Sequence, residues 1–454
     1  MSQREFDVIV IGAGPAGEVI AGRLGKAGLG VALVEANLVG GECAYFACMP
    51  SKALLRPAEA VDEARRLPGA AEAVTGELAV GAVLRRRDEV IHNLDDGSQL
   101  PWLEERGVEI VRGHGRLAGE RTVRVGDDEL VARRAVVVAT GSEALIPPID
   151  GLREAEPWTN RQGTTTKRVP ARLLILGGGV VGVEMAQAFA TLGSEVTLVE
   201  GGERILPREE QFAAQQVHES LEGRGVQIIT GVKATAVRRN GDVTMELEGH
   251  EPVTGDEILV AVGRRLLTGD LGLETVGLEP GKPVEVSDTM QTSAHDWLYA
   301  IGDVNGRVLL THMGKYQARI ASDHILGKDV ELRSDGALSP RVIFTDPQVA
   351  AVGHTADSAR EAGLDVTVVE VPSGGNAGGS FYGRGAPGTA RIVVDERRGV
   401  IVGATLTGPD IGDFLQAATI AVIGEVPLTR LWHAVPSFPT RSELWLRLLE
   451  SYGL

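Results

Sequence analysis

Residues 6–35 read FDVIVIGAGPAGEVIAGRLGKAGLGVALVE, and this stretch decides the fold. An apolar run that is typical of a buried strand ends at Gly12, a helical pattern follows, and a second strand pattern ends at Glu35. Gly12, Gly14 and Gly17 occupy the turn between the first strand and the helix with the spacing GxGxxG. The stretch therefore predicts a βαβ unit with a glycine-rich turn.

The same pattern occurs a second time at residues 173–200, LLILGGGVVGVEMAQAFATLGSEVTLVE. In both stretches an acid ends the second strand 23 positions after the first glycine. Glycines let the backbone approach a pyrophosphate, the helix N-terminus offers free N–H groups, and the acid can accept hydrogen bonds from ribose hydroxyls. The chain is thus predicted to contain two dinucleotide-binding modules. The predicted nucleotide-binding residues of the two turns are Gly12, Gly14, Pro15, Ala16, Gly17 and Glu35, and then Gly177, Gly179, Val181, Gly182 and Glu200.

A weaker repeat supports the two modules. Residues 135–141, AVVVATG, and residues 257–263, EILVAVG, each end a strand pattern in a turn of small residues. Residues 299–306, YAIGDVNG, place an acid at another strand end, where it could contact a ribityl chain or a phosphate, although such an Asp is more often a turn residue. The further predicted cofactor contacts are Thr140, Gly141, Gly263, Arg264, Gly302 and Asp303.

Composition and charge restrict the class of protein. A chain of 454 residues with 43% hydrophobic residues is typical of a globular protein with about three domains. The net charge of -17 argues against a nucleic-acid partner, and no apolar run is long enough to span a bilayer, so we expect neither nucleic acid nor membrane as a partner and a cytoplasmic location. The basic run at residues 85–87 is expected to be a solvated helix face.

The last third of the chain has a different pattern, with strands joined by polar turns and helices near residues 413–424 and from residue 441 onward. We therefore predict an α/β protein with two Rossmann-like nucleotide-binding domains plus a C-terminal α+β domain. The predicted boundaries are residues 1–148 and 270–336 for the first nucleotide-binding domain, 149–269 for the second, and 337–454 for the C-terminal domain.

The strongest chemical signal is GGECAYFACMPSK at residues 40–52, which holds both cysteines of the chain, Cys43 and Cys48. Five residues of ideal helix rise about 7.5 Å, whereas a disulfide needs Cα atoms less than about 7 Å apart, so a helix that carries this disulfide must be distorted. A helix N-terminus and a nearby cation such as Lys52 favour the reactive thiolate. The alternatives are two unrelated buried thiols or a zinc site, and zinc lacks further ligands at suitable spacing, so no metal is expected. Tyr45 and Phe46 are expected to be packing residues rather than a substrate pocket.

With these motifs the chain resembles the flavin-dependent pyridine nucleotide disulfide oxidoreductases, which include dihydrolipoamide dehydrogenase, glutathione reductase and mercuric reductase. The resemblance extends over nearly the whole length and includes FTDPQVAAVG at residues 344–353. It implies FAD in the first nucleotide-binding domain, NADH or NADPH in the second, and a C-terminal dimerisation domain. It also implies a homodimer in which the active site is shared between chains.

The resemblance assigns roles to individual residues. Cys48 would lie beside the flavin as the charge-transfer thiol, and Cys43 would exchange with the substrate. Lys52 and Glu184 match the family's charged pair near the flavin ring. Four residues join the implied cofactor contacts on the same basis: Gly41, Glu42, Lys52 and Glu184.

One departure from the family pattern affects the chemistry. The family carries His-Pro-Thr followed by a Glu near its C-terminus, and the His acts as acid-base for the interchange thiol. Here residues 433–443 read HAVPSFPTRSE, which puts Phe438 at the place of the His, or Val435 in an alternative alignment, and neither side chain can carry a proton. His433 is a candidate substitute. Glu443 keeps the family position, although without a His to orient it could be only a helix-start charge.

The predicted function is an NAD(P)H-dependent flavoprotein oxidoreductase that reduces a disulfide or another thiol-reactive acceptor through Cys43 and Cys48. Glu200 favours NADH because its charge would repel a 2′-phosphate, and Arg204 close behind makes the preference moderate. We do not expect lipoamide as the substrate, because its reaction depends on the missing His. The alternatives are a diaphorase-like enzyme that passes electrons from the flavin directly to quinones or dyes, dihydrolipoamide dehydrogenase itself, and a non-catalytic scaffold subunit that carries flavin.

Overall fold

The computed structural model describes residues 3–383, 385–386 and 388–454. The strands of these residues are β1 Gln3–Ile11, β2 Val31–Glu35, β3 Val108–Arg112, β4 Gly115–Leu117, β5 Thr122–Val125, β6 Asp128–Val138, β7 Ser142–Ala144, β8 Arg172–Leu176, β9 Glu195–Glu200, β10 Gln227–Thr230, β11 Ala234–Asn240, β12 Asp242–Leu247, β13 His250–Gly255, β14 Glu257–Val260, β15 Arg264–Leu266, β16 Leu298–Ala300, β17 Arg341–Ile343, β18 Gln348–Gly353, β19 Val366–Pro372, β20 Thr389–Asp395 and β21 Val400–Gly408. The helices are α1 Pro15–Lys26, α2 Gly41–Tyr45, α3 Cys48–Arg66, α4 Val80–Val90, α5 Pro101–Glu104, α6 Asn160–Thr165, α7 Val180–Thr191, α8 Gln211–Gly223, α9 Thr311–Ile325, α10 Ala356–Glu361, α11 Leu415–Ile423, α12 Leu428–Leu431 and α13 Glu443–Tyr452.

The chain divides into two compact units, and the first comprises Met1–Pro50, Asp88–Ala144 and Arg264–Gly336. Its sheet has the order β3-β2-β1-β6-β5-β4, with β16 also pairing β6. The pairs β2-β3, β1-β2, β1-β6 and β6-β16 are parallel, as expected for strands connected through helices. Helices α1 and α9 pack together, and side chains from β1, β2 and both helices share one core. The βαβ unit predicted for residues 6–35 is confirmed.

The second unit comprises Ser51–Arg87, Leu145–Gly263 and Ala337–Leu454. Its parallel sheet β10-β9-β8-β14 contains the second predicted βαβ unit, made of β8, α7 and β9. An antiparallel three-stranded sheet, β11-β12-β13, and an antiparallel five-stranded sheet, β17-β18-β21-β20-β19, belong to the same unit. The predicted fold class is confirmed, whereas the bounds of the four segments derived from the sequence remain predictions.

The last helix, α13, buries its apolar face within its own chain. Leu444, Leu448 and Leu449 belong to the same core cluster as side chains of β18, β20 and β21. These three leucines hold the helix against the five-stranded sheet. Among the described helices, none is both long enough and apolar enough to cross a lipid bilayer.

The prediction for the basic run at residues 85–87 is wrong in one position. Arg85 and Arg86 are exposed on α4, but Arg87 is fully buried. The guanidinium of Arg87 donates to the backbone carbonyl oxygens of Thr164 and Thr166 at the end of α6. The last carbonyl groups of a helix have no hydrogen-bond partner within the helix, and a buried guanidinium needs acceptors. The hydrogen bonds between them satisfy both groups.

Candidate active site

The first glycine-rich turn is shaped for close approach of a ligand. Gly12 has φ +100°, and a Cβ there would lie 2.5 Å from the carbonyl oxygen of Ala139, while a Cβ at Gly17 would lie 1.9 Å from that of Gly12. These two glycines are required by packing within the protein. Gly14 is different, because a Cβ there would meet nothing within 4 Å. The open space in front of Gly14 fits the pyrophosphate of a dinucleotide.

The start of α1 supports the same interpretation. Gly14 is the N-cap, Pro15 begins the helix and no side chain caps it, so the first turn presents its N–H groups to a ligand. Ala16 follows inside this turn and is buried. The carboxylate of Glu35 accepts hydrogen bonds from the backbone N–H groups of Ala13 and of Asn37, each at 2.7 Å. Glu35 thus braces the turn while its remaining lone pairs can bind ribose.

The second glycine-rich turn repeats this geometry. A Cβ at Gly177 would lie 2.5 Å from the carbonyl oxygen of Ala261, and one at Gly182 would lie 1.9 Å from that of Gly177. The nearest atom to a Cβ at Gly179 is 4.0 Å away, so Gly179 faces open space as Gly14 does. Val181, next in the first turn of α7, is an exposed apolar residue. The second turn therefore also fits a dinucleotide.

Glu200 ends β9 as Glu35 ends β2. Its carboxylate accepts from the backbone N–H groups of Gly178 at 2.6 Å and Gly202 at 2.7 Å. Arg204 lies nearby, but its guanidinium donates to three backbone carbonyl oxygens, those of Leu206, Pro207 and Glu209. The local cation is therefore already engaged by the protein backbone.

Asp303 is held in a polar cluster of the first unit. Its carboxylate accepts a hydrogen bond from the hydroxyl of Ser142. The oxygen of that hydroxyl accepts a hydrogen bond from Nε of Arg264 at 2.7 Å. Nε of Arg264 also lies 3.8 Å from the carboxylate of Asp303. Gly302, just before the acid, has φ +75°. Arg264 and Asp303 were each predicted from the sequence, whereas Ser142, which connects them, was not.

The other two small-residue turns differ in their contacts. The hydroxyl of Thr140 donates to the carbonyl oxygen of Leu267 at 2.9 Å, and Gly141 has φ +71°. Gly263, in the second unit, has φ +142°, and a Cβ there would meet nothing within 4 Å. Gly141 and Gly263 both have a positive φ, which residues with a side chain rarely adopt.

The two cysteines lie on either side of a helix break. Helix α2 ends at Tyr45, Phe46 follows with non-helical backbone angles, and α3 begins at Cys48, so the distortion predicted from the cysteine spacing is confirmed. Gly41 begins α2, and a Cβ there would lie 2.8 Å from Cα of Gly14. The cysteine segment therefore packs directly against the first glycine-rich turn, and Glu42 belongs to this first turn of α2. Tyr45 is buried and donates its hydroxyl to a backbone carbonyl, which confirms its packing role.

Both cysteines are partly buried thiols that interact with each other. The hydrogen bond from Cys48, followed by burial and the charge of Cys48, raises the pKa of the Cys43 thiol well above its ordinary value. The Thr311 hydroxyl and the Lys315 ammonium act in the opposite direction and lower it. Sγ of Cys48 lies 3.5 Å from Oγ1 of Thr311 at the start of α9. The pair therefore resists forming two thiolates at once.

Lys52 and Glu184 form a charged pair in the second unit. Nζ of Lys52 lies 2.7 Å from Oε2 of Glu184, and Glu184 is only 3% exposed. The other carboxylate oxygen accepts the backbone N–H of Phe344 at 3.0 Å. Lys52 also lies 4.6 Å from the centroid of the Phe344 ring, a cation–π distance. Lys52 and Glu184 are 132 positions apart in sequence, so this pairing depends on the fold.

The C-terminal motif places its members in different environments. His433 is exposed in the turn after α12. Phe438 and Val435, which occupy the place of the acid-base His in the two alignments, are 76% and 84% exposed. Glu443 begins α13, but its side chain is buried, and its Oε2 has no hydrogen-bond partner among the described residues. Glu443 is therefore more than a helix-start charge on the surface.

Several residues of the cysteine environment could not be predicted from the sequence. Thr311 and Lys315 lie on α9, more than 260 positions from the cysteines, and nothing in their local sequence marks them. Glu18, in the first turn of α1, was also not predicted, although it could have been found because it is an acid directly after Gly17 in an otherwise apolar and small-residue helix start. Among the described residues, no group of three or more His, Cys, Asp or Glu side chains is arranged to hold a metal ion.

Comparisons with known proteins agree with this geometry. Residues 6–318 match the family model for pyridine nucleotide-disulphide oxidoreductases, and residues 339–448 match the dimerisation domain of the same family. A dihydrolipoyl dehydrogenase of Thermus scotoductus is 34% identical to this chain, over 97% of this chain and 96% of its own length. A mercuric reductase of Staphylococcus aureus is 31% identical, over 92% of this chain and 77% of its own length. The solved Cu(II) complex of the HOCl-induced flavoprotein disulfide reductase RclA of Escherichia coli is similar with a TM-score of 0.85 and 26% identity, covering 98% of this chain and 99% of its own.

Proposed function

Because the chain belongs to the pyridine nucleotide-disulphide oxidoreductase family, whose members use FAD and NAD(P)H, we propose that it reduces a disulfide or another thiol-reactive acceptor through Cys43 and Cys48. The observation that carries this proposal is the pair of interacting thiols at the break between α2 and α3, packed against the glycine-rich turn at Gly14. Bound FAD would take two electrons from the nicotinamide as hydride and supply them to this pair. Thr311 orients Cys48, and Cys43 meets the acceptor.

The class of acceptor follows from the protonation chemistry at Cys43. Phe438 or Val435 at the family's His position supplies no proton, so the acceptor must release its leaving group without assistance. Thiols of low pKa leave readily, and a soft metal ion bound by thiolates needs no protonated leaving group. The mercuric reductase relative supports soft metal ions as one such class, and the Cu(II) complex of the similar reductase adds a metal ion of borderline softness. We expect lipoamide turnover below the level of about 10 per second that is usual for enzymes.

An acceptor screen tests the proposal. NADH oxidation by the FAD-loaded protein is measured with activated disulfides, soft metal–thiol complexes, lipoamide, quinones and dyes, for the wild type and Cys43→Ser. Ala44→Ser is the matched control, because it adds a hydroxyl in the same segment and keeps both thiols. We expect Cys43→Ser to lose disulfide or metal reduction about 100-fold or more while the control retains it. Equal rates in both variants with every acceptor would reject the proposal.

The second candidate is direct electron transfer from the flavin to quinones or dyes. It is favoured by the raised pKa of Cys43, which makes that thiol slow to react without a base. In this case Cys43→Ser retains most of the activity toward quinones. A flavin-bearing protein that oxidises NADH with none of the acceptors would instead support the scaffold alternative.

We further propose that NADH is preferred over NADPH. Glu200 places a negative charge at the end of β9, and Arg204, the cation that could bind a 2′-phosphate, is engaged by three backbone carbonyl oxygens. The ratio of kcat/KM for the two nucleotides tests this preference. A higher kcat/KM with NADPH would contradict it.

We also propose that the protein is a homodimer through its C-terminal region. The match to the family's dimerisation domain supports this, as do the exposed apolar side chains Ile420, Trp432, Val435 and Phe438 in the same region. Light scattering coupled to size-exclusion chromatography should give twice the mass of one chain. A monomer at micromolar concentration would contradict the proposal.

A further inference from the structure

The segment that follows β9 packs around the second glycine-rich turn. Residues 201–210 read GGERILPREE, and the backbone N–H of Leu206 donates to the carbonyl oxygen of Gly178 at 2.9 Å. A Cβ at Gly178 would lie 2.8 Å from Cγ2 of Ile205, so the segment lies directly on the turn. Glu200, the acid expected to accept hydrogen bonds from the ribose hydroxyls, immediately precedes the segment. A cation of this segment therefore lies near the place expected for the 2′-phosphate of NADPH.

The guanidinium of Arg204 is held by the backbone of this same segment. It donates to the carbonyl oxygens of Leu206 at 3.2 Å, Pro207 at 3.0 Å and Glu209 at 3.0 Å, and we call these three oxygens the Arg204 cage. Leu206 adopts φ +48° in this arrangement, a conformation that costs free energy in a residue with a side chain. Among the described residues, no ion pair involves Arg204. Arg204 therefore keeps a charge that no acid compensates, while the cage occupies several of its donors.

One oxygen of the cage belongs to a residue whose side chain is anchored elsewhere. Glu209 is 6% exposed, and its Oε1 lies 2.7 Å from Nε of Arg341 on β17. Its Oε2 has no hydrogen-bond partner among the described residues, so the position of this carboxylate depends on Arg341. A buried carboxylate is stable only with such a partner. The ion pair therefore ties the end of the segment, and with it the Arg204 cage, to the five-stranded sheet.

The next residue forms a similar anchor that does not contact Arg204. Glu210 is 5% exposed, and its Oε2 lies 2.7 Å from Nη1 of Arg391 on β20. Its Oε1 accepts the backbone N–H of Ala356 at 2.7 Å. The carbonyl oxygen of Glu210 accepts from backbone N–H groups of α8 and is not part of the Arg204 cage. Glu210 is therefore a matched control for Glu209, because it is equally buried and equally paired with an arginine of the same sheet.

We propose that the ion pair of Glu209 with Arg341 sets the discrimination against NADPH, because it holds Arg204 in its cage and away from the 2′-phosphate. This inference rests on the proposed binding of the nicotinamide nucleotide at the second glycine-rich turn. A guanidinium released from the cage would form charge-assisted hydrogen bonds with a phosphate and offset the repulsion from Glu200. Glu209 and Arg341 are positioning residues, since they act on the nucleotide through Arg204.

The test compares the binding of NAD+ and NADP+, which differ only in the 2′-phosphate. Isothermal titration calorimetry on the FAD-loaded protein gives both dissociation constants, and their ratio is compared between variants. Glu209→Gln and Arg341→Met should each raise the affinity for NADP+ relative to NAD+ about tenfold, which corresponds to one hydrogen bond to a charged group. Glu210→Gln should leave the ratio unchanged, because it removes a buried ion pair without disturbing the Arg204 cage.

Arg204→Met connects the effect to the cage. In the Glu209→Gln background it should abolish the gain for NADP+, and alone it should leave the ratio unchanged, because a caged Arg204 does not reach the phosphate. A gain that persists without Arg204 overturns the proposal and points to the exposed Arg208 instead. An unchanged ratio in Glu209→Gln and Arg341→Met, or the same gain in Glu210→Gln, also overturns it. The ratio in the wild type tests the preference for NADH, whereas its change between variants tests the cage, so either can fail alone.

Discussion

The ion pair between Lys52 and Glu184 gives a quantitative prediction for stability. Glu184→Gln removes the charge but keeps a carbonyl oxygen that can accept the backbone N–H of Phe344. A hydrogen bond to a charged group contributes about 1.5–3 kcal/mol to stability. The side chain of Lys52 is 32% exposed, and the solvent around it reduces this contribution. We therefore expect Glu184→Gln to destabilise the second unit by about 1–2 kcal/mol.

Thermal unfolding provides the assay. In a cooperative unit of 150–250 residues, a change of 1 kcal/mol in the free energy of unfolding shifts the thermal midpoint by about 2–4 °C. The shift per kcal/mol is smaller in a larger unit such as the second one. We therefore expect the loss of about 1–2 kcal/mol to lower the midpoint by about 2–4 °C. Calorimetry at matched FAD occupancy should show the shift in Glu184→Gln and in Lys52→Met. The double variant should lose much less than the sum, because both substitutions remove the same interaction.

A surface pair in the same unit supplies the control. Glu425 lies 2.8 Å from Arg398 in an exposed pair, so Glu425→Gln should change the stability by less than about 1 kcal/mol. The reasoning would be refuted by additive effects of Lys52→Met and Glu184→Gln. It would also be refuted if Glu425→Gln destabilised the protein as much as Glu184→Gln.

Three further predictions concern the fold and the first turn. Gly14→Ala should fold normally but bind FAD about tenfold or more weakly, because a Cβ there would enter the open space in which we expect the pyrophosphate. Gly17→Ala should fail to fold, because its Cβ would lie 1.9 Å from a carbonyl oxygen. Flavin content and circular dichroism distinguish the two outcomes. Arg87→Leu should lower the free energy of unfolding by about 3 kcal/mol or more, because it leaves buried carbonyl oxygens without a hydrogen-bond donor. Arg85→Leu should change the free energy of unfolding very little, because Arg85 is exposed. Equal urea midpoints for the two variants would contradict the buried role of Arg87. Burial raises the pKa of Glu18 from 4.5 to about 7, so between pH 4.5 and 7 the folded protein binds more protons than the unfolded chain. The free energy of unfolding should therefore fall by about 3 kcal/mol as the pH rises from 4.5 to 7. Glu18→Gln should remove this fall, and a urea midpoint with the same pH dependence in the variant and the wild type would contradict the prediction.

The sequence by itself predicted the modular fold and the cysteine pair on which the proposed chemistry depends. The two strand, glycine turn and helix patterns, with Glu35 and Glu200 at matching positions, depend on local backbone preferences, so they can be predicted from neighbours in the chain. The break between Cys43 and Cys48 could also be predicted, since helix geometry and disulfide geometry are incompatible at that spacing.

Tertiary structure decided which side chains surround these elements. Lys52 meets Glu184 across 132 positions and Cys48 meets Thr311 across 263, and no local pattern encodes contacts at such separations. The same holds for Arg87, which is charged and yet fully buried, because only the packing of α4 against the end of α6 supplies its partners. Burial and charge around a titratable group are sums over distant parts of the chain, so the electrostatic environment of Cys43 follows from the fold. The prediction that Cys43 is the reactive thiol came from the resemblance of the sequence to the family.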